Sequence, residues 1–499
     1  MIKVFKRLIN EGGVISMRKT ILKREPTFIE SIVPIIAMLV ILFYGKGIKG
    51  WATEPLLIIV AIIAAIVAMR VGVTWDEMLD EISIKIAKGM PAILILITVG
   101  MLIGTWKASG TIPMMIYYGI QMVNPQYLLV TAFLITALVS IVTGTSWGSV
   151  GTMGVALMGI ASGLNVSLPA TAGAVIAGSY FGDKMSPLSD TTNLAPISAG
   201  SDLYGHIRHM FWTTVPATIV SLIVYAVAGA SASGGVAPDS ETVQVMLSTL
   251  NVMYSWSWLL LLPVVIVLVG SVIKMPTIPV MLCSSTVAGI MAIFIQNITL
   301  DNVLKCMVKG FNVSMITAPG FNPKTVAWAV TRLINGGGMA SIMSTTLLVF
   351  CAFCFAGIMS RAGCLKVVLQ KLLSIVTNTG GLIASTVVAC LTMAITTGSS
   401  YLSILIPGEM FKDAYKARNL AAVNLSRTLE DSATVVVPLV PWSAAGAYMT
   451  ATLGVPTLSY LPWAVLCYTG FIFALFYGFT GIGIKKITQK ENIEEQKAE

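Results

Sequence analysis

The chain has 499 residues, of which 56% are hydrophobic and 11% charged, with a formal net charge of +9. Soluble proteins carry about 25% charged residues, so a soluble globular fold is excluded and an integral membrane protein is indicated. The positive balance does not point to nucleic acid, because the basic residues gather in loops between apolar stretches, as membrane topology requires.

Residues 1–26 carry Lys3, Lys6, Arg7, Arg18, Lys19, Lys23 and Arg24 ahead of an apolar stretch within 27–50. That stretch is too long for a cleaved signal peptide, and no small-x-small site follows it. It predicts a first transmembrane helix with a cytoplasmic N-terminus. Since roughly 20 apolar residues cross a bilayer as a helix, about ten crossings are expected. They lie near 27–45, 53–70, 91–106, 168–205, 209–229, 257–273, 277–296, 340–360, 419–450 and 460–482. Residues 74–90 mix Trp75, Met78, Leu79, Ile82 and Ile86 with Asp76, Glu77, Asp80, Glu81 and Lys85, which predicts an amphipathic helix at the interface. Residues 301–336 have a similarly mixed character. Residues 231–256 contain no Lys or Arg and read as an external loop, while 485–499 read as a cytoplasmic tail.

Two apolar regions, 126–163 and 381–418, are interrupted at their centres by small polar residues. The first contains Thr143-Gly144-Thr145-Ser146-Trp147-Gly148-Ser149, and the second Thr396-Thr397-Gly398-Ser399-Ser400. Glycine permits a sharp reversal, and hydroxyls bind an ion or cap open backbone. Each region predicts a re-entrant hairpin whose tip is buried in protein at mid-membrane depth. The alternative is one long helix packing its small residues on a neighbour.

The chain also repeats itself. The shift that carries Gly144 onto Gly398 carries Lys107-Ala108 onto Arg361-Ala362 and Asn124 onto Asn378. After a short deletion, Asp190-Thr191-Thr192 falls on Asp431-Ser432-Ala433. Loop charges place the two tips on opposite approaches, so residues 51–230 and 257–484 are expected to form inverted-topology repeats. Secondary transporters place their sites between such repeats.

Each repeat holds a polar, proline-broken segment, expected as a broken helix over 168–205 and over 419–450. Pro187 cannot donate to the carbonyl of Asp183, nor Pro196 to Thr192, Pro438 to Thr434 or Pro441 to Val437. Freed carbonyls and nearby hydroxyls are hard oxygen ligands of the kind a small cation prefers. Charged groups at this depth mark a transport site by default. A carboxylate withdrawn from water holds its proton, and a cation beside it expels that proton. One buried carboxylate therefore carries H+ or Na+ in turn. The candidate carboxylates are Asp183, Asp190, Glu430 and Asp431. The candidate neutral ligands are Thr143, Thr145, Ser146, Thr191, Thr192, Asn193, Thr397, Ser399, Ser400, Ser432 and Thr434. Na+ is expected at Asp190, Thr192, Ser146, Asp431 and Ser400. Lys184 and Arg427 offer the competing reading, in which the carboxylates sit in structural ion pairs.

Other chemistry finds little support. There is no HExxH motif, and neither histidine lies in the polar core, so an enzyme is not expected. His206 and His209 read as loop residues near the interface. Cys351 and Cys354 read as small residues on one helix face. No cofactor is expected beyond Na+ as transported or coupling ion. A passive channel would suit the polar residues but not the two inverted halves.

Thr143–Gly148, Gly182–Thr192, Trp106–Pro113 and Leu429–Ser432 resemble the NhaC family of bacterial Na+/H+ antiporters. The resemblance covers roughly residues 30–480. It implies Na+/H+ exchange across a bacterial plasma membrane. Chains similar to this one also include Na+-linked malate/lactate exchangers, so a small carboxylate or amino acid remains the alternative substrate. The resemblance also admits a homodimer through scaffold helices.

Overall fold

The computed structural model describes residues 24–231, 241–326 and 328–487. The basic N-terminus up to residue 23, the first part of the expected external loop and most of the expected tail lie outside them. Among the described residues the protein is helical, with no strand and two isolated bridges. Among the described residues, eight helices are long and apolar enough to cross a membrane, or up to 11 if each bent pair is one span; Pro125–Thr143 and Thr379–Thr397, from the two regions expected to be hairpins, are among the eight.

The chain opens with α1 (Phe28–Leu42), α2 (Thr53–Arg70) and α3 (Trp75–Ser109). Thr27 and Thr74 each start a helix by a reciprocal cap with the glutamate three residues on, as Thr-x-x-Glu dictates. The expected separation between an interfacial 74–90 and a crossing 91–106 is not found. Helix α3 runs unbroken for 35 residues with Pro91 inside it, since one proline removes one ladder bond and need not end a helix whose two flanks are both packed. Its charged turns dock on the far end of a later helix, where Glu77 pairs with Arg361 at 3.1 Å and Glu81 accepts from Ser360 at 3.2 Å.

Then follow α4 (Thr111–Met122), α5 (Leu128–Thr143), α6 (Val155–Gly163), α7 (Leu168–Met185), α8 (Asp190–Ala199) and α9 (Leu203–Ser231). Helices α5 and α7 lie backbone to backbone. A Cβ on Gly182 would stand 2.3 Å from the Ala137 carbonyl oxygen, and Ser140 donates to the Ser179 carbonyl at 2.6 Å.

The second half holds α10 (Glu241–Met253), α11 (Leu262–Val272), α12 (Thr277–Phe294), α13 (Leu300–Lys309), α14 (Met343–Arg361) and α15 (Cys364–Ser374). Residues 241–253 are therefore helix rather than loop. Val243, Met246, Leu250 and Met253 are buried, a helical spacing that supplies the missing driving force. The mixed segment after α13 is fastened to α3: Lys107 donates to the Asn335 carbonyl at 2.8 Å, and the Gly338 amide to the Gly100 carbonyl at 2.6 Å.

The chain closes with α16 (Thr379–Thr397), α17 (Ser400–Ala417), α18 (Ala422–Leu429), α19 (Ala444–Leu453) and α20 (Val465–Thr480). A π-helical turn, Glu430–Thr434, continues α18, and the run Ala422–Leu439 meets α19 across a bend of 48°. The breaks at 186–189 and 430–443 fall inside the expected broken helices. The two expected tips share one backbone. Gly144 and Gly398 end their helices with φ of +69° and +63°. Thr145 then caps a short helix, Ser146–Ser149, and Ser399 caps α17, each accepting from the amide three residues on at 3.4 Å.

Candidate functional site

The first tip delivers Ser146 to the first broken helix. Its hydroxyl donates to Asp183 Oδ2 at 2.8 Å, a contact that the close α5–α7 packing makes possible. Asp183 is only 7% exposed, so this bond and an open cavity in front of it are what its charge meets. The turn after α7 is satisfied from within. The Asp183 carbonyl, expected to be free, accepts from the Ser186 amide at 3.2 Å and from Thr192 Oγ1 at 3.1 Å. Thr192 also donates to the Lys184 carbonyl at 3.2 Å. Asn193 donates to the carbonyls of Pro187 and Ser189 at 2.9 and 2.6 Å. In the second half the Val437 carbonyl, also expected to be free, accepts from Ser443 Oγ at 2.7 Å. The correction has one physical cause: a carbonyl that loses its helical donor next to a hydroxyl recruits that hydroxyl.

Both tips line one cavity of about 720 Å³. Its wall includes Thr145, Ser146 and Trp147 from the first tip, Thr397, Ser399, Ser400 and Tyr401 from the second, and Asp183, Ser189, Asp190, Thr191 and Thr434 from the broken helices. Asp190 is exposed in it and accepts from the Tyr401 hydroxyl at 3.3 Å. Trp147, the counterpart of Tyr401 in the repeat, stacks on Tyr448 with ring centres 4.4 Å apart. Thr143 stays out of the lining and donates to the Val139 carbonyl at 2.8 Å.

Asp431 lies elsewhere. It is fully buried, absent from the cavity wall and paired with Lys184. Thr213 of α9 donates to the same carboxylate oxygen at 3.1 Å. Glu430, equally buried, receives the Thr191 hydroxyl at 3.4 Å. The five residues expected to share one Na+ are therefore divided. Asp190, Ser146 and Ser400 stand at the cavity, while Thr192 is spent on backbone and Asp431 sits behind the wall with Lys184. Arg427 faces away, donating to the Gly483 carbonyl at 3.0 Å with Tyr477 beneath it.

Several residues at the site were missed. Lys85 and Lys88 line the cavity, because α3 is long enough to bring its charged turns there. His206 and His209 are buried on α9, against Ser426 at 2.9 Å and Asn424 at 3.1 Å. The signal was present: His206 and Thr213, like Asn424 and Asp431, stand seven residues apart and so share one helix face.

Carboxylates, hydroxyls and open water access suit a hard monovalent cation and a proton, and no group of three or more His, Cys, Asp or Glu among the described residues is placed to hold a metal. The Na+/H+ antiporter family matches residues 178–482, which contain both breaks, at 186–189 and 430–443. A Haemophilus influenzae protein named as an uncharacterised Na+/H+ antiporter is 53% identical over 471 residues, 94% of this chain and 100% of that protein. The Na+/H+ antiporter NhaC of Alkalihalophilus pseudofirmus is 37% identical over 430 residues, 86% of this chain and 90% of that one. A malate-2H+/Na+-lactate antiporter of Bacillus subtilis is 32% identical over 458 residues, covering 92% and 96%. A polytopic helical protein with this length of agreement is a membrane transporter and not an enzyme, and the chain belongs to the Na+/H+ antiporter family.

Proposed function

We propose that this protein exchanges Na+ for H+ across the plasma membrane by alternating access, with both termini cytoplasmic and the two halves acting as inverted repeats. The supporting observation is the meeting of both tips with Asp183 and Asp190 in one cavity. Na+ entering between Asp183, Asp190 and the hydroxyls of Ser146, Ser189 and Thr191 competes there with H+, because a cation beside a carboxylate disfavours its protonated form. The tips and the broken helices then re-expose the site on the other side.

The test uses purified protein in liposomes with an imposed pH gradient and a trapped pH dye. Na+ alone collapses the gradient in the wild type, and Asp190→Asn cuts that rate at least tenfold, the scale of one lost charged contact of about 1.5 kcal/mol. A gradient insensitive to Na+, or a fully active Asp190→Asn protein, would overturn the reading. Alternating access has its own check. Thr145→Cys, half-buried at the tip, reacts with a membrane-impermeant thiol reagent in the presence or the absence of Na+, but not equally in both.

A second reading has a specific observation behind it. About 720 Å³ falls in the range that holds small organic ligands and far exceeds the needs of a bare cation. Na+-coupled exchange of a small carboxylate or amino acid would use the same carboxylates. It predicts no collapse until malate, lactate or an amino acid is added.

A further inference from the structure

Behind the cavity wall lies a second polar centre. The π-helical turn Glu430–Thr434 buries Asp431 and Ser432 completely and leaves Thr434 1% exposed. Glu430 Oε2, Asp431 Oδ2, Ser432 Oγ and Thr434 Oγ1 have no hydrogen-bond partner. A buried polar atom without a partner is destabilising, so four on one turn call for something polar to visit them. Of these residues only Thr434 reaches the cavity, which makes it the threshold between the two spaces. The other oxygen of Asp431 is held by Lys184 and Thr213. Lys184 belongs to the first broken helix and Asp431 to the second, so this buried ion pair joins the two elements expected to move.

We propose that the turn 430–434 is an inner alkali-cation site, distinct from the Asp183–Asp190 site in the cavity, and that the Lys184 ammonium is its resident occupant, which Na+ must displace. The proposal rests on the cavity being the Na+ entrance. A carboxylate and two hydroxyls are the hard oxygen set that an alkali ion takes. A bare carboxylate left in that dry position would be strongly destabilising. Lys184 prevents this, being a compact charge on a flexible four-carbon stem. The Asp431 carboxylate is then never without a positive charge beside it as the two broken helices approach each other. Competition between a tethered ammonium and Na+ weakens the apparent Na+ affinity by the strength of the ion pair.

The experiment measures binding of radioactive sodium to the purified full-length protein, alongside exchange in liposomes, for Lys184→Met, for the charge-balanced Lys184→Met/Asp431→Asn double variant and for Asp190→Asn. In Lys184→Met the half-saturating Na+ concentration falls about tenfold, because Na+ no longer displaces a competitor. The double variant binds fewer Na+ ions per chain than the wild type and loses the tight phase. Lys184→Arg, which keeps the charge, restores wild-type half-saturation. If Lys184→Met does not fold, the double variant, which leaves no unpaired charge, decides the matter. A double variant with wild-type half-saturation and wild-type Na+ stoichiometry overturns the inner site and makes the ion pair purely structural. Wild-type Na+ binding in Asp190→Asn overturns the cavity reading instead, through a different residue.

Discussion

Asp183→Asn is expected to abolish Na+-driven proton movement while leaving the protein folded in the membrane. Asparagine matches aspartate in shape, and the Ser146 hydroxyl can still bond its carbonyl oxygen, so packing between the first tip and α7 survives. What disappears is the negative charge and the titratable oxygen. Asp183 is 7% exposed, receives the Ser146 hydroxyl at 2.8 Å and lines the cavity. A charged contact in such a setting contributes about 1.5–3 kcal/mol, so the exchange rate at limiting Na+ should fall by roughly 10- to 100-fold. Size-exclusion profiles and thermal unfolding in detergent would match the wild type. Ser146→Ala keeps the charge and should lose far less, a few-fold in Na+ half-saturation. If Asp183→Asn and Ser146→Ala were equally mild, Asp183 would be a structural carboxylate.

That contrast also shows what a sequence can and cannot say about such a site. The apolar helices, the glycine turns at 144 and 398 and the breaks were legible because each depends on local composition: apolar length, a glycine flanked by hydroxyls, a proline beside an aspartate. Gly144 and Gly398 show this best, since the same backbone recurs at both. The sorting of the polar residues was not legible, because it depends on where side chains point after packing. Thr192 lies two residues from Asp190, yet it turns inward to cap the Asp183 carbonyl while Asp190 looks into the cavity. Asp431 matches Asp190 in the repeat but meets Lys184, for which the second half has no equivalent at that position: the Lys184 site is a feature of one half only. Lys85 and Lys88 reach the cavity through tertiary contacts that no motif encodes. The run 241–253 was misread because its lack of basic residues spoke louder than its helical spacing of apolar ones.

Gly144→Ala should be among the most damaging small substitutions in the chain, and more so than Gly398→Ala. Both glycines sit in the left-handed region, where any L side chain costs about 1–2 kcal/mol. The surroundings differ. At Gly398 the nearest atom to an added Cβ is Ser443 Cα at 3.0 Å, a contact that a shift of a few tenths of an ångström relieves. At Gly144 the added Cβ would meet Leu188 Cβ at 2.6 Å and the Leu188 carbonyl carbon at 2.8 Å. Leu188 lies in the turn that breaks the first helix, between Asp183 and Asp190, so the tip cannot relax without moving that turn. Overpacking of this kind adds about 1–3 kcal/mol. The sum predicts a loss of roughly 2–5 kcal/mol for Gly144→Ala, against about 1–2 kcal/mol for Gly398→Ala. Thermal unfolding of the purified variants orders them. Exchange tests the functional link: because Ser146 stands two residues beyond Gly144, displacing the tip pulls its hydroxyl away from Asp183. Gly144→Ala should therefore weaken apparent Na+ affinity even at temperatures where it is fully folded, and Gly398→Ala should not do so to the same extent. Equal effects at both positions would mean that the two tips are mechanically equivalent and that the Leu188 contact carries no part of the coupling.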